Sequence, residues 1–328
     1  MENKKFNWAV IGCGSIANEM AQALQKHGRR FYSVANRTYE KATEFSKKYN
    51  IEKVYSSTDE VFFDDNVDII YIATPHNTHY KYMKKALENN KHILVEKSIT
   101  LNSRELNEMI SLATQKNLYI GEAMTIWHMP IYKELSKIIK SDELGKVQLI
   151  TANFGSFKEY NLNNRFFNMN LAGGALLDIG VYALSAVRMF LKKNPDEIVS
   201  QWKPSPTGSD EMATILLKNT FGQMATVALS IHSKQPKKTV VSCEKGYIEI
   251  EDYPRAEKAL IFDAQTGKTK EISLGKTCDA LYYEFLDMEE AVMSNNPSLL
   301  YLQNSCDVME IMTQLRKEWG LKYPDEIW

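Results

Sequence analysis

Residues 7–17, NWAVIGCGSIA, leave a chain few ways to begin folding. A compact apolar run ends at Gly12, a turn of small residues follows, and a helical stretch, SIANEMAQALQKHG, opens at once. The pattern G-x-G-x-x-A, from Gly12 to Ala17, gives each small residue a task. Gly12 permits the tight turn, Gly14 lets another group approach the backbone, and Ala17 allows the helix to pack closely. The free N–H groups at the helix start, around Ser15 and Ile16, suit an anion. Strand, glycine turn and helix in this order are the setting in which the motif holds the pyrophosphate of a dinucleotide.

The alternation continues. Strand patterns at FYSVAN (31–36), DIIYIATP (68–75), HILVEK (92–97) and LYIGEAM (118–124) alternate with helical ones at YEKATEFSKKYN, 78–90 and 103–116. DIIYIATP is apolar almost without a break, as a strand covered on both faces is. Repeated β-α-β units build a parallel, doubly wound sheet, whose right-handed crossovers bring the loops at the carboxyl ends of the strands to one edge. Beyond about residue 145 the pattern changes to strand-like runs at 146–157, 211–219 and 222–233, then KTVVSCE, GYIEIED and KALIFDA. Short turns such as NTFG and EKGY join antiparallel neighbours. A helical stretch lies at 175–192, and two more close the chain at 279–294 and 298–318.

The expected fold is therefore α/β, with two domains. Residues 1–122 form a Rossmann-type, doubly wound parallel sheet. Residues 123–328 form an α+β domain on a large, mostly antiparallel open sheet with helices on one face. The C-terminal helix could pack back on the first domain.

Composition narrows the function. With 40 Lys and Arg against 41 Asp and Glu, the net charge is −1. There is no basic excess to neutralise a nucleic-acid backbone, and no nucleic-acid partner is expected. Lys234, Lys237 and Lys238 around Pro236 read as a solvated hairpin tip. No signal peptide and no stretch of the ~18 apolar residues of a membrane helix is read. Cys13, Cys243, Cys278 and Cys306 are scattered, without C-x-x-C spacing. A cytoplasmic chain with no metal site and no membrane partner is the expectation.

A Rossmann site for NAD places a carboxylate at the end of the second strand, on the 2′-hydroxyl of the adenosine ribose. Here the residues are Asn36, Arg37 and Thr38. A guanidinium in place of an acid pairs with a 2′-phosphate or stacks on adenine, so NADP(H) is favoured, with NAD(H) as the alternative. At the end of HILVEK, Glu96 and Lys97 mark either the point where the chain meets water or the carboxyl edge where such a sheet binds its ligand. Asp178 and Tyr182, in GGALLDIGVY, are four apart and share one face of a helix. Alone, they could equally be an acid complementing the helix dipole and a tyrosine in the core.

GCGSIA, ATPHNTHY, HILVEKS, GEAM and AGGALLDIGVY occur in the order and approximate spacing of the Gfo/Idh/MocA oxidoreductases. The chain resembles that family over nearly its whole length. The resemblance implies that Glu96 stands near the nicotinamide ribose and Lys97 beside the reacting carbon and oxygen. Thr74, Pro75 and His76 would line the cofactor, with His79 near the substrate. Asp178 and Tyr182 would belong to the catalytic helix, in the tyrosine version of the sugar-oxidising and dihydrodiol-type branches. Arg165 falls at a family substrate position. Two departures stand out: Ser98 replaces the usual Pro, and Trp127 replaces an Arg, reshaping the substrate pocket it would line.

The implied reaction is reversible alcohol–carbonyl conversion on a small, polar, hydroxylated substrate (a sugar, cyclitol or diol), by hydride transfer to or from the nicotinamide. Lys97 and Tyr182 are candidates for proton transfer. Their ordinary pKa values, ~10.4 and ~10, must fall to serve near neutrality, as burial and neighbouring positive charge allow. Asp178 would orient Lys97 or a substrate hydroxyl. The rival reading is a non-catalytic NADP(H) sensor on the same fold. A homodimer or dimer of dimers is expected through the C-terminal sheet, because Met212, Thr214, Met224, Thr226 and Ala228 would otherwise leave a broad, partly apolar face in water.

Overall fold

The computed structural model describes residues 6–162, 164–324 and 326–328. The chain divides into two compact units. The first comprises Met1–Ala123 and Leu281–Leu302, the second Met124–Ala280 and Gln303–Trp328.

In the first unit, β1 (Trp8–Ile11), β2 (Ser33–Ala35), β3 (Lys53–Val54), β4 (Ile69–Ile72), β5 (His92–Glu96) and β6 (Ile120–Ala123) form one parallel sheet, ordered β3-β2-β1-β4-β5-β6. Helices α1 (Ser15–Lys26), α2 (Tyr39–Tyr49), α3 (Glu60–Phe63), α4 (His79–Glu88) and α5 (Ser103–Lys116) link the strands. All of β1 and β4 is buried, as a strand covered on both faces must be. The strand order turns at β1, so the ligand crevice of such a sheet opens outside the carboxyl ends of β1 and β4. Local chemistry sets the element ends. At α5 the Asn102 side chain accepts from the Glu105 N–H at 2.9 Å, while the Glu105 carboxylate accepts from the Leu101 N–H at 3.0 Å. The two side chains thus satisfy free donors at the helix start.

The returning segment belongs to the core of this unit. Phe285, near the start of the helix Ala280–Ser294, stacks on Trp8 at 4.4 Å. The Trp8 indole N–H donates to Glu289 at 3.0 Å, and Arg29 pairs with the same carboxylate at 2.6 Å.

In the second unit, β7 (Val147–Gly155), β8 (Glu197–Pro204), β9 (Asp210–Lys218), β10 (Met224–Ser230), β11 (Gln235–Cys243), β12 (Gly246–Glu251), β13 (Lys258–Asp263) and β14 (Lys268–Ser273) form an open sheet. Its order is β14-β13-β12-β11-β7-β10-β9-β8, and every pairing is antiparallel except β7 with β10. The helices are α6 (Thr125–His128), α7 (Pro130–Lys140), α8 (Val181–Phe190) and α10 (Leu302–Trp319); the returning helix Ala280–Ser294 is α9. Alternation along the strands buries Ile150, Ala213, Ile215, Val227 and Val241 on the face that α8 covers. The opposite face carries Leu149, Met212, Leu216 and Met224, each more than a third exposed. Met212, Thr214, Met224, Thr226 and Ala228 all lie on that outer face, with Thr226 opposite Leu216 and Ala228 opposite Thr214.

Two sequence expectations change. Lys237 and Lys238 lie within β11, not at a hairpin tip, and Lys238 pairs with Glu249 on the neighbouring strand at 2.7 Å. The stretch Met169–Phe190 does meet the length and composition of a membrane span, but most of it is buried inside the protein, as a core segment is.

Candidate active site

The glycine loop follows β1 directly. Gly12 has φ +102°, and a Cβ there would meet the Ala73 carbonyl oxygen at 2.4 Å, so the turn tolerates no side chain. Gly14 is the opposite case: a Cβ there would have no neighbour within 4 Å, so the backbone faces open space. No side chain caps α1, and no acid stands in its first turn. Ser15 is exposed and Ile16 half-buried at that helix start. Uncapped N–H donors, open space and no competing carboxylate fit a bound pyrophosphate.

At the end of β2, Asn36 donates to the Thr38 carbonyl at 3.0 Å, shaping the entry to α2. Arg37 is exposed and makes no hydrogen bond or ion pair among the described residues, so its guanidinium is available to a ligand. Cys13, between the glycines, is held as the thiol: burial pushes it up to about 12. Beyond β4, the Thr78 hydroxyl donates at 2.7 Å to the Thr74 hydroxyl or the Pro75 carbonyl, which ties this loop together. His76 is nearly buried and meets His79 edge-on at 5.8 Å.

Glu96, the last residue of β5, is buried and accepts a hydrogen bond from the Tyr71 hydroxyl of β4. Lys97 follows it, half-buried, with a cis peptide bond to Ser98. The glycine turn, Thr74, Glu96 and Lys97 thus gather at the carboxyl edge of one sheet.

His79 corrects the sequence expectation. The family resemblance puts it near the substrate, yet it has no exposed surface. Its Nδ1 lies 2.9 Å from the Ser98 carbonyl and its Nε2 2.8 Å from the Thr74 carbonyl. Burial, the largest effect, holds the imidazole below its usual pKa and so in its neutral form, against the pull of the two carbonyls. The neutral ring has a single N–H, so it donates to one of the two carbonyls at a time, and with no exposed surface His79 presents neither nitrogen to a ligand.

In the second unit the segment that leads to α8 is shaped by its glycines. Gly173 packs so closely on the preceding loop that a Cβ would lie 2.6 Å from the Arg165 carbonyl oxygen. Gly174 has φ +143°, and a Cβ there would overlap Asp210 Oδ1 at 2.0 Å. Leu176–Gly180 then forms a widened, π-type turn before α8 begins at Val181. Asp178 lies in this wide turn and Tyr182 in the first turn of α8, so their four-residue spacing spans a π turn where the sequence predicts a regular α-helix. Such turns recur at functional sites. Asp178 is 9% exposed and faces the largely exposed Arg165 guanidinium at 3.5 Å. Tyr182 is half-buried, its ring 6.1 Å from that of Phe154.

Trp127 is a second correction. Expected to line the substrate pocket, it is fully buried on α6, an element that packs against α7 and α8. An indole with no exposed surface fills space in the protein and presents nothing to a ligand. Sequence reading also passed over Asp210, Glu122 and Tyr71. Asp210 is fully buried at the start of β9, where its Oδ2 accepts from the Leu176 N–H at 2.5 Å, and burial raises its carboxyl from 3.8 to about 7. Glu122, on β6, accepts from the Ile99 N–H at 3.1 Å. An acid inside an apolar strand was the available signal, since a buried carboxylate needs a partner.

Comparison with known proteins identifies the two domains. Residues 6–123 match the model of an oxidoreductase family with an NAD-binding Rossmann fold. Residues 132–249 match the Gfo/Idh/MocA C-terminal domain. The chain is similar to the trans-1,2-dihydrobenzene-1,2-diol dehydrogenases of Xenopus laevis (28% identity, covering 97% of this chain and 99% of the relative) and Mus musculus (28%, covering 98% and 99%). Among solved structures it is similar to a 3-ketoreductase from Actinomadura kijaniata in complex with NADP and TDP-benzene (TM-score 0.86, 19% identity, covering 96% and 98%). An aldose-aldose oxidoreductase from Caulobacter crescentus is similar too (TM-score 0.87, 18% identity, covering 97% and 98%). With both its domains matched over well more than half of its length, the chain belongs to the Gfo/Idh/MocA family of oxidoreductases.

Proposed function

We propose that this oxidoreductase interconverts an alcohol and a carbonyl on a small polyhydroxylated substrate (a sugar, a cyclitol or a diol) with NADP(H). The observation that carries the reading is the carboxyl edge of the first unit, where an open glycine turn and Lys97 share one sheet edge. The nicotinamide, when bound, accepts or supplies the hydride, and the protein supplies position and proton transfer. Gly12, Gly14, Ser15 and Ile16 would hold the pyrophosphate, and Thr74, Pro75, His76 and Glu96 would flank the rest of the cofactor. Arg37, exposed and unpaired, supports NADP(H) over NAD(H) through a charge-assisted contact with a 2′-phosphate.

Lys97 and Tyr182 are the residues we assign to moving the hydroxyl proton. Asp178, faced by Arg165, would orient a substrate hydroxyl, with Arg165 itself within reach of substrate. The names of the diol dehydrogenases and sugar-acting enzymes it resembles support a hydroxylated substrate. The half-exposed outer face of the second sheet supports a homodimer or a dimer of dimers. None of its four cysteines forms a disulfide among the described residues, in keeping with a cytoplasmic protein.

A panel of sugars, inositols and diols, read by absorbance of reduced cofactor with NADP⁺ and NAD⁺ in parallel, tests the reading. Turnover of at least one of them is expected, faster with NADP⁺. Cofactor binding without turnover of any would favour the sensor.

A further inference from the structure

The Ser98–Ile99 peptide, one residue beyond Lys97, is held at both ends by buried ionisable side chains. The Ser98 carbonyl oxygen lies 2.9 Å from His79 Nδ1, and the Ile99 N–H donates to Glu122 Oε1 at 3.1 Å. That carbonyl and that N–H belong to one planar unit. Fixing both ends stops the plane from turning about its flanking bonds. Upstream, Glu96 accepts from the Tyr71 hydroxyl, so the residue before Lys97 is tied as well.

His79 opens α4 and Glu122 lies on β6, with 0% and 1% of their surfaces exposed. The turn after β5 is thereby tied to the strand beside it, and His79 Nε2 lies 2.8 Å from the Thr74 carbonyl after β4. Burying two such side chains is costly, and apolar residues of similar volume commonly serve stability as well or better. Their shared target is what they have in common. A displacement of about 1 Å in a reacting group can cost ~10²-fold in rate, so holding this turn has catalytic value.

We propose that His79 and Glu122 are positioning residues that clamp the Ser98–Ile99 peptide and so fix the direction in which Lys97 leaves the strand end. The catalytic half of this statement rests on the reading of Lys97 as a proton-transfer group; the clamp itself does not.

The test uses the full-length chain with its lysines dimethylated with ¹³C-formaldehyde. The Lys97 signal is observed by NMR and assigned by its loss in Lys97→Arg. Glu122→Ala removes the acceptor for the Ile99 N–H, whereas Glu122→Gln retains an oxygen there. The Lys97 resonance is expected to shift in Glu122→Ala and to stay with the wild type in Glu122→Gln. With an active substrate, kcat should fall ~10²-fold in Glu122→Ala while NADPH affinity stays within a few-fold. A folded Glu122→Ala chain with the wild-type Lys97 signal would overturn the proposal. Should that variant not fold, His79→Phe, which keeps a flat ring and loses both ring nitrogens, is read in the same way. In the wild type, rapid hydrogen exchange at the Ile99 amide would also overturn it. If no substrate turns over, the NMR result still decides the clamp, and only the role of Lys97 fails.

Discussion

Replacing Asp210 by Asn should change how stability depends on pH, by an amount that can be worked from its surroundings. Asp210 is fully buried, its Oδ2 accepts from the Leu176 N–H, and its Oδ1 has no hydrogen-bond partner among the described residues. The cation whose field favours the ionised carboxylate, Arg316, is already paired with both oxygens of Glu326, at 2.8 and 2.7 Å. Burial therefore dominates, raising the carboxyl from 3.8 to about 7. A folded-state pKa raised above the unfolded value means that the native chain binds the proton more tightly. The resulting stability is full below the unfolded value and is lost as pH rises through the folded one.

A tenfold gain in proton affinity corresponds to about 1.4 kcal/mol, so ionising Asp210 costs the fold roughly 4 kcal/mol over the whole window. Asn keeps an oxygen acceptor for Leu176 but does not titrate. Urea unfolding of both chains, followed by tryptophan fluorescence at half-unit steps from about pH 5 to 8, gives the difference directly. The stability of Asp210→Asn relative to the wild type should climb by about 1.4 kcal/mol per pH unit between roughly pH 5 and 7, then level off. A difference that stays flat across that range would refute the reasoning, because it would show that Asp210 titrates alike in the folded and unfolded chain.

Lys97→Met keeps the bulk of the side chain without its amine, so NADPH should still bind while turnover falls ~10²-fold or more; near-normal turnover removes Lys97 from proton transfer. Fluorescence titration should show NADPH binding more tightly than NADH, with the gap narrowed in Arg37→Ala; tighter NADH binding by the wild type would reverse the cofactor assignment. Light scattering at micromolar concentration should find an oligomer, and Met224→Glu, on the outer face of β10, should dissociate it with NADPH binding intact. A stable wild-type species of 37.6 kDa would exclude that assembly.

In the first half, β1, β2, β4, β5 and β6 were legible as short apolar runs between amphipathic helices, whereas β3, two residues of which neither is buried, and the four-residue α3 left no such pattern. The second half was harder. The strand Lys268–Ser273 reads KTKEIS, with no apolar run to announce it, because an edge strand is safest when charged. Glu197–Pro204 also escaped notice, and it is the other edge of the same sheet. The parallel pairing of β7 with β10 depends on residues about 75 apart, a relation local pattern does not encode. In the site, Lys97, Asp178 and Tyr182 stood out because motif and order marked them. The bracing by His79, Glu122 and Asp210 did not, since each meets a main-chain atom on another element, 19, 23 and 34 residues away. Trp127 was misjudged because an aromatic in place of an arginine looks the same in a string of residues whether it faces a ligand or the core.

The return of Leu281–Leu302 to the first unit bears on how the chain is made. A ribosome that has released residue 123 has delivered every strand of the parallel sheet, but not Phe285 or Glu289, which close over Trp8. The second unit's residues 124–280 must emerge first. At about 5–20 residues per second, the nascent sheet waits roughly 10–35 s with its Trp8 flank bare. The N-terminal unit is thus first in sequence and finishes late, and an arrest of translation anywhere in that interval leaves an open sheet as a client for chaperones.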